Sequence, residues 1–271
     1  MQAPLSGRIA FGVEYLGTHY YGWQRLSHGP SIQAALEAAI ARVADHPVEI
    51  MAAGRTDAQV HAVGQVAHFD TTAVRRGYQW MLGINRHLPV DISVTWILQA
   101  QPDFHARFSA IWRSYRYVIV NRLARSALHH DRACWYHYPL NEQAMHRAAQ
   151  CLIGEHDFSA FRASACQART ASRRIHEINV SRLDDLVLID VRANAFLHHM
   201  VRNIAGVLMT IGKGDAPENW AHTILQQRDR TLGGFTAPAQ GLYLTGVGYP
   251  EHLGLPAATG AAAVPAMLLR G

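Results

Sequence analysis

Apolar and polar positions alternate over residues 8–15, with Ile9, Phe11, Val13 and Tyr15 on one side, which predicts a half-buried strand. After a glycine-rich stretch from Gly17 to Pro30 the period lengthens. Ser31 can cap a helix running to about Ala44, with Ile32, Leu36, Ile40 and Val43 as its apolar stripe. Residues 48–53, ending at Gly54, and residues 65–70 predict strands. Residues 75–87 predict a helix that stops before Pro89, and residues 92–98 a further strand. The order then recurs. Residues 112–120 predict a strand, and Asn141 caps a helix reaching Ile153, with Gly154 as its stop. Residues 174–182 and 186–192 form a hairpin around Asp184-Asp185. Residues 197–211 and 217–227 predict helices, and residues 241–249 a closing strand.

Each half therefore reads, loosely, strand, helix, two strands, helix, strand, with one more helix in the second half. The expected fold is α+β: two similar modules with largely antiparallel sheets, helices on one face of each, and a cleft between them. Gln101-Pro102-Asp103 marks a boundary, giving an N-terminal module over 1–103 and a C-terminal module over 104–250. Residues 251–271, rich in Ala, Gly and Pro towards the end, predict a disordered tail. A length of 271 residues suits two domains.

Composition narrows the classes. With 49% hydrophobic and 17% charged residues the chain can bury an ordinary globular core. No segment approaches the roughly 20 continuous apolar residues of a membrane helix, and residues 1–7 do not read as a secretion signal. Cys134, Cys151 and Cys166 are widely spaced, with no C-x-x-C pair, so neither a disulfide framework nor a zinc site is expected; a reducing cytoplasm fits. The net charge is +5. Arg107, Arg113, Arg116, Arg122, Arg125 and Arg132 form one cluster, and Arg162, Arg169, Arg173, Arg174 and Arg182 another, so the C-terminal module is expected to carry a basic surface suited to nucleic acid. Lys213 is the sole lysine. Arginine's planar fork suits phosphate, although a GC-rich genome also favours arginine over lysine.

The stretch richest in chemistry is Gly54-Arg55-Thr56-Asp57-Ala58-Gln59-Val60-His61-Ala62, a loop between two predicted strands. It sets a carboxylate, Asp57, and a cation, Arg55, among small residues that let a bulky ligand approach the backbone. Spacing alone is also the pattern of a surface turn in which Asp57 bonds its own backbone, and that is the commoner outcome.

The loop resembles the signature of the tRNA pseudouridine synthase A family, with Asp57 at the nucleophile position. Further segments resemble that family in order: Tyr20-Tyr21-Gly22-Trp23-Gln24, Phe104-His105-Ala106-Arg107-Phe108-Ser109-Ala110, Tyr115-Arg116-Tyr117, Gly154-Glu155-His156-Asp157-Phe158, His199-Met200-Val201-Arg202-Asn203 and Gly241-Leu242-Tyr243-Leu244. Together they span roughly residues 9–249. The resemblance implies isomerisation of uridine to pseudouridine at positions 38, 39 and 40 of the tRNA anticodon arm, by a homodimer on which one tRNA contacts both subunits. It also implies that Tyr115 stacks on the flipped target base, that Arg202 pairs with Asp57, and that Arg55 enters the space the base leaves and contacts the RNA backbone. The family usually has glycine where this chain has Gln59; a positive φ there would strain a glutamine.

The residues allow other outcomes. Tyr115 and Tyr117 share a strand face and both could be core. Arg202 falls opposite the apolar stripe of Leu197, Met200, Val201, Ile204, Leu208 and Ile211, where it could face solvent or a cleft. His61 has no derivable role. The pairs His129-His130 and His198-His199, if helical, diverge by about 100° and make poor joint metal ligands. The isomerisation has no net redox change and loses no group, so neither cofactor nor metal is expected. A non-catalytic RNA-binding protein is the alternative, against which Asp57, Tyr115 and Arg202 stand together. A glycosidase would need a second carboxylate flanking the bond.

Overall fold

The computed structural model describes residues 3–164, 166, 168–258 and 264. The tail expected over 251–271 falls, from residue 259 onward and Val264 apart, outside the described residues. The chain forms two compact units. One is the chain up to Ile111 with a returning segment that begins at Leu244; the other runs from Trp112 to Tyr243.

In the first unit β1 (Pro4–Tyr15) lies between β3 (His61–Arg76) and β4 (Ile92–Gln99), antiparallel to both. Phe11 stands opposite Ala67 on one side and Ile97 on the other. β2 (Met51–Ala52) and the returning β10 (Leu242–Gly248) are further partners of β3. The half-buried reading of β1 is corrected here: Ile9, Ala10, Phe11, Gly12 and Val13 are all buried. The alternation there is of large against small residues, both faces being covered. Helices α1 (Ile32–Ala44) and α2 (Gly77–His87) pack together and reach β3, with α2 also against β4. Ser31 caps α1 as expected, its hydroxyl accepting the Ala34 N–H at 3.3 Å, a contact worth about 1 kcal/mol. Ile32, Leu36 and Ile40 are fully buried. The helix expected from residue 75 starts at Gly77 because β3 runs on to Arg76.

In the second unit β5 (Trp112–Asn121) pairs with β9 (Leu186–Ala193), β9 with β8 (Ser172–Leu183) and β8 with β7 (Gly154–Asp157), all antiparallel. β6 (Cys134–Tyr136) runs parallel beside β5. The β8–β9 hairpin turns at Asp184-Asp185, with Asp184 at φ 52°. Helix α3 (Glu142–Ala149) packs on β8 and on α4 (Met200–Lys213), which reaches β5; α5 (Trp220–Gln227) lies against both helices. Asn141 caps α3 by accepting the Ala144 N–H at 3.0 Å. The start expected for α4 at residue 197 moves to Met200, since His199 sits in the left-handed region at φ 60°. His198 and His199 therefore precede the helix, and their rings lie 4.0 Å apart rather than diverging. The α+β class and the largely antiparallel pairing are as expected.

Candidate active site

The loop between β2 and β3 is held along its length by main-chain and buried side-chain contacts. Gly54 accepts the Gln65 side-chain N–H at 2.8 Å. The Thr56 carbonyl accepts the Trp23 N–H at 3.0 Å, and its hydroxyl shares a 2.8 Å hydrogen bond with Tyr15. Burial pushes the Tyr15 phenol up to about 12, the bond to Thr56 working against that shift, so it remains a neutral support. The Val60 N–H bonds the Asp57 carbonyl at 3.2 Å and the Gln59 N–H bonds the Tyr20 carbonyl at 3.3 Å.

Two glycines let the 17–23 segment lie against this loop. Gly22, at φ 103°, would bring a Cβ within 2.7 Å of the Thr56 carbonyl, and a Cβ on Gly17 would overlap the Val60 carbonyl. His61, for which the sequence suggests no role, is fully buried and its Nδ1 accepts the Gly17 N–H at 2.9 Å. Its contribution is to anchor this approach. Each such bond is worth about 1 kcal/mol, and together they brace the loop against the 17–23 segment and β3. The Tyr20-Tyr21-Gly22-Trp23-Gln24 segment and Gln65 are thus supports of the candidate site. The glycine spacing at 17 and 22 was the available signal for the former; nothing in the sequence marked Gln65.

From this scaffold Asp57 is presented half-buried, and Arg55 and Gln59 exposed. Among the described residues the Arg55 guanidinium makes no hydrogen bond or ion pair, so it is not a partner of Asp57. Gln59 has φ 64°, the positive value at which a glutamine is strained.

In the second unit the shared face of Tyr115 and Tyr117 divides. Tyr117 is fully buried, its hydroxyl donating to the Pro238 carbonyl at 2.8 Å, and burial raises its phenol well above the ordinary value. Tyr115 is only half-buried, with Phe196 edge-on at 5.0 Å. The pairing of β5 with β9 sets Tyr115 opposite Val191, towards the end of the ladder, while Tyr117 opposite Ile189 lies deeper in.

Arg202 projects from the first turn of α4. The segment 235–237 covers this side of the helix: Arg202 Nε donates to the Ala237 carbonyl at 2.8 Å, and the Ala237 N–H returns to the Arg202 carbonyl at 3.1 Å. One turn on, a Cβ at Gly206 would overlap the Phe235 carbonyl. The side opposite the apolar stripe is thus packed against chain, with Arg202 half-buried.

The arginine clusters are less available than their density suggested. Arg116 is buried and forked onto Asp190, with both contacts at 2.7 Å. Arg122 meets Asp185 at 3.3 Å, Arg174 meets Glu155 at 3.3 Å, and Arg182 meets Glu142 at 2.9 Å. Acids remote in sequence supply these partners.

A family model described as tRNA pseudouridine synthase matches residues 12–109 and 148–250. The chain is 53% identical over 249 residues to the tRNA pseudouridine synthase A of Cronobacter sakazakii, covering 92% of each. It is 51% identical over 259 residues to that of Pectobacterium atrosepticum, covering 95% of this chain and 90% of the relative. With the Vibrio cholerae protein of the same name it shares 51% identity over 249 residues, covering 92% and 94%.

Proposed function

We propose, for a chain that belongs to the tRNA pseudouridine synthase family and so isomerises uridine to pseudouridine in tRNA, that Asp57 is the catalytic carboxylate. The observation that carries this reading is the loop itself: a carboxylate on a backbone pinned at Gly54, Thr56, Asp57 and Gln59, beside an exposed arginine. A carboxylate in a pinned loop needs no reorganisation when the substrate arrives.

The reaction breaks the uridine N1–C1′ bond, turns the uracil, and joins C5 to C1′. The proton lost from C5 is balanced by the one gained at N1, so nothing is oxidised and no group leaves. Asp57 acts as nucleophile on the nucleotide and is released when the C5–C1′ bond is complete. The target base must leave its stack to be reached. Tyr115, half-exposed where Tyr117 is buried, supplies the ring on which it rests, and its hydroxyl assists removal of the C5 proton. Arg202 is the cation that partners Asp57, and Arg55, unpaired among the described residues, fills the space the base vacates and contacts the RNA backbone. We assign the target to positions 38, 39 and 40 of the anticodon arm, acted on by a homodimer in the cytoplasm. No helix among the described residues is long and apolar enough to cross a membrane.

The test is Asp57→Asn. The amide keeps the size of the carboxylate, so the loop's bonds survive. Loss of the nucleophile is expected to lower pseudouridine formation by at least about 10⁴-fold, with tRNA binding retained or strengthened as a negative charge leaves an RNA site. A binding titration is paired with carbodiimide or mass-based detection of pseudouridine. Near-normal conversion by the asparagine variant removes Asp57 from the chemistry. A variant that neither folds nor binds makes Asp57 structural.

A further inference from the structure

The segment from Phe104 to Ala110, singled out in the sequence but given no part in the chemistry, forms a turn in the first unit that is fixed at almost every main-chain position. The Ala106 N–H donates to His68 Nδ1 at 3.2 Å, and the Ala106 carbonyl accepts the Tyr249 hydroxyl at 2.7 Å. His105 Nδ1 accepts the N–H groups of Arg107 at 3.1 Å and Phe108 at 3.3 Å. The His105 N–H donates to the Ser109 hydroxyl at 3.0 Å, and the Ser109 N–H returns to the His105 carbonyl at 2.9 Å. Phe104 is buried at the base between His68 and Tyr249.

All this ordering ends in an aromatic ring held out in water. Phe108 is 76% exposed. One face of its ring lies against His105, with centroids 4.3 Å apart and planes 34° apart, and the Arg107 guanidinium lies over the ring at 5.7 Å from its centroid, from where its flexible side chain can swing to a phosphate. A phenylalanine so exposed gains nothing for folding. The residues around it in the turn, His105, Arg107 and Ser109, are polar, which suits a protein partner's apolar patch poorly. A π face with a cation beside it matches one nucleotide, whose base stacks and whose phosphate meets the arginine.

We propose that this turn is a second RNA contact, at which Phe108 stacks on an unpaired base of the substrate tRNA other than the reacting uridine, and Arg107 meets the adjoining phosphate. The proposal rests on tRNA being the substrate. Its role is affinity: a contact equal in ground and transition states lowers KM and leaves kcat unchanged.

The experiment compares wild type, Phe108→Ala and Phe108→Trp in tRNA binding, in steady-state pseudouridine formation, in thermal unfolding and in sedimentation. Phe108→Ala is expected to weaken binding of unmodified tRNA by roughly 5- to 150-fold, the range of one lost base stack. KM should rise in step, with kcat and the unfolding temperature unchanged. Phe108→Trp should bind like wild type. Ultraviolet cross-linking of wild type should leave a nucleotide on the peptide carrying Phe108. Wild-type affinity and KM in Phe108→Ala would overturn the proposal. So would loss of self-association in that variant, which makes the ring a contact between copies of the chain. If wild type forms no pseudouridine, the functional reading fails instead; if wild type is active and Phe108→Ala is indistinguishable from it, only the stacking proposal fails.

Discussion

Gln59 adopts φ 64° two residues from the candidate nucleophile, its N–H held by the Tyr20 carbonyl. A non-glycine residue there costs about 1–2 kcal/mol, offset in part because a glycine loses about 0.4–1 kcal/mol more chain entropy on folding. Gln59→Gly is therefore expected to leave stability unchanged or raise it by up to about 1 kcal/mol, whereas Gln59→Val, β-branched at positive φ, should lower it by more than about 1 kcal/mol. Urea unfolding of the two variants checks this. A clear loss of stability in the glycine variant would mean that the glutamine side chain holds the loop. The strain was legible in the sequence only because the resemblance supplied a glycine to compare. The parting of Tyr115 from Tyr117 was not legible. Strand alternation places both on one face, and only the depth along the β5–β9 ladder separates a half-exposed ring from a buried one. His61 was silent for a related reason: its partner, the Gly17 N–H, lies 44 residues away.

At the scale of elements, the longer helices and strands could be read from period and caps, because each buries a face wide enough to leave a pattern. β6 and β7, at 3 and 4 residues, could not. They are too short for an alternation to stand out from chance, and β6 owes its place to its parallel register with β5. The same holds for the 105–109 turn, built on His68 of β3. Burial, with His105 and Arg8 adding repulsion, pushes the His68 imidazole down to about 4. His105 is lowered as well, by burial first and by Arg8. Each uses Nδ1 as an acceptor, which a proton there would abolish. Because the folded pKa lies below the unfolded value of about 6.5, the unfolded chain binds more protons between those values. The neutral form's stabilisation is then full above about pH 6.5 and is lost as pH falls towards about 4. The unfolding temperature should decline over this window. His68→Asn, whose Oδ1 can take the place of Nδ1 as acceptor for the Ala106 N–H, should flatten the decline. An unchanged pH profile in that variant would assign the acid sensitivity elsewhere.

For the whole molecule, the sequence showed where basic charge is dense but not which cations are already satisfied, since the acids that meet them come from distant strands and helices. Arg116 and Arg55 are the extremes. Arg116 is buried against Asp190, whereas Arg55 is exposed and unpaired among the described residues. Removing one partner of a largely buried ion pair leaves the other charge uncompensated, so Arg116→Gln should cost about 3 kcal/mol of stability. It should leave the salt dependence of tRNA binding as it was, since no phosphate loses a contact. Arg55→Gln should do the opposite. The unfolding free energy stays as in wild type, while the slope of log affinity against log salt becomes shallower by about 0.7–0.9, the value of one phosphate contact. Titrating both variants with tRNA at several salt concentrations, alongside urea unfolding, separates the two roles. A wild-type slope for Arg55→Gln would leave the exposed guanidinium without an RNA contact. A shallower slope for Arg116→Gln at unchanged stability would mean that the buried fork opens to meet the nucleic acid.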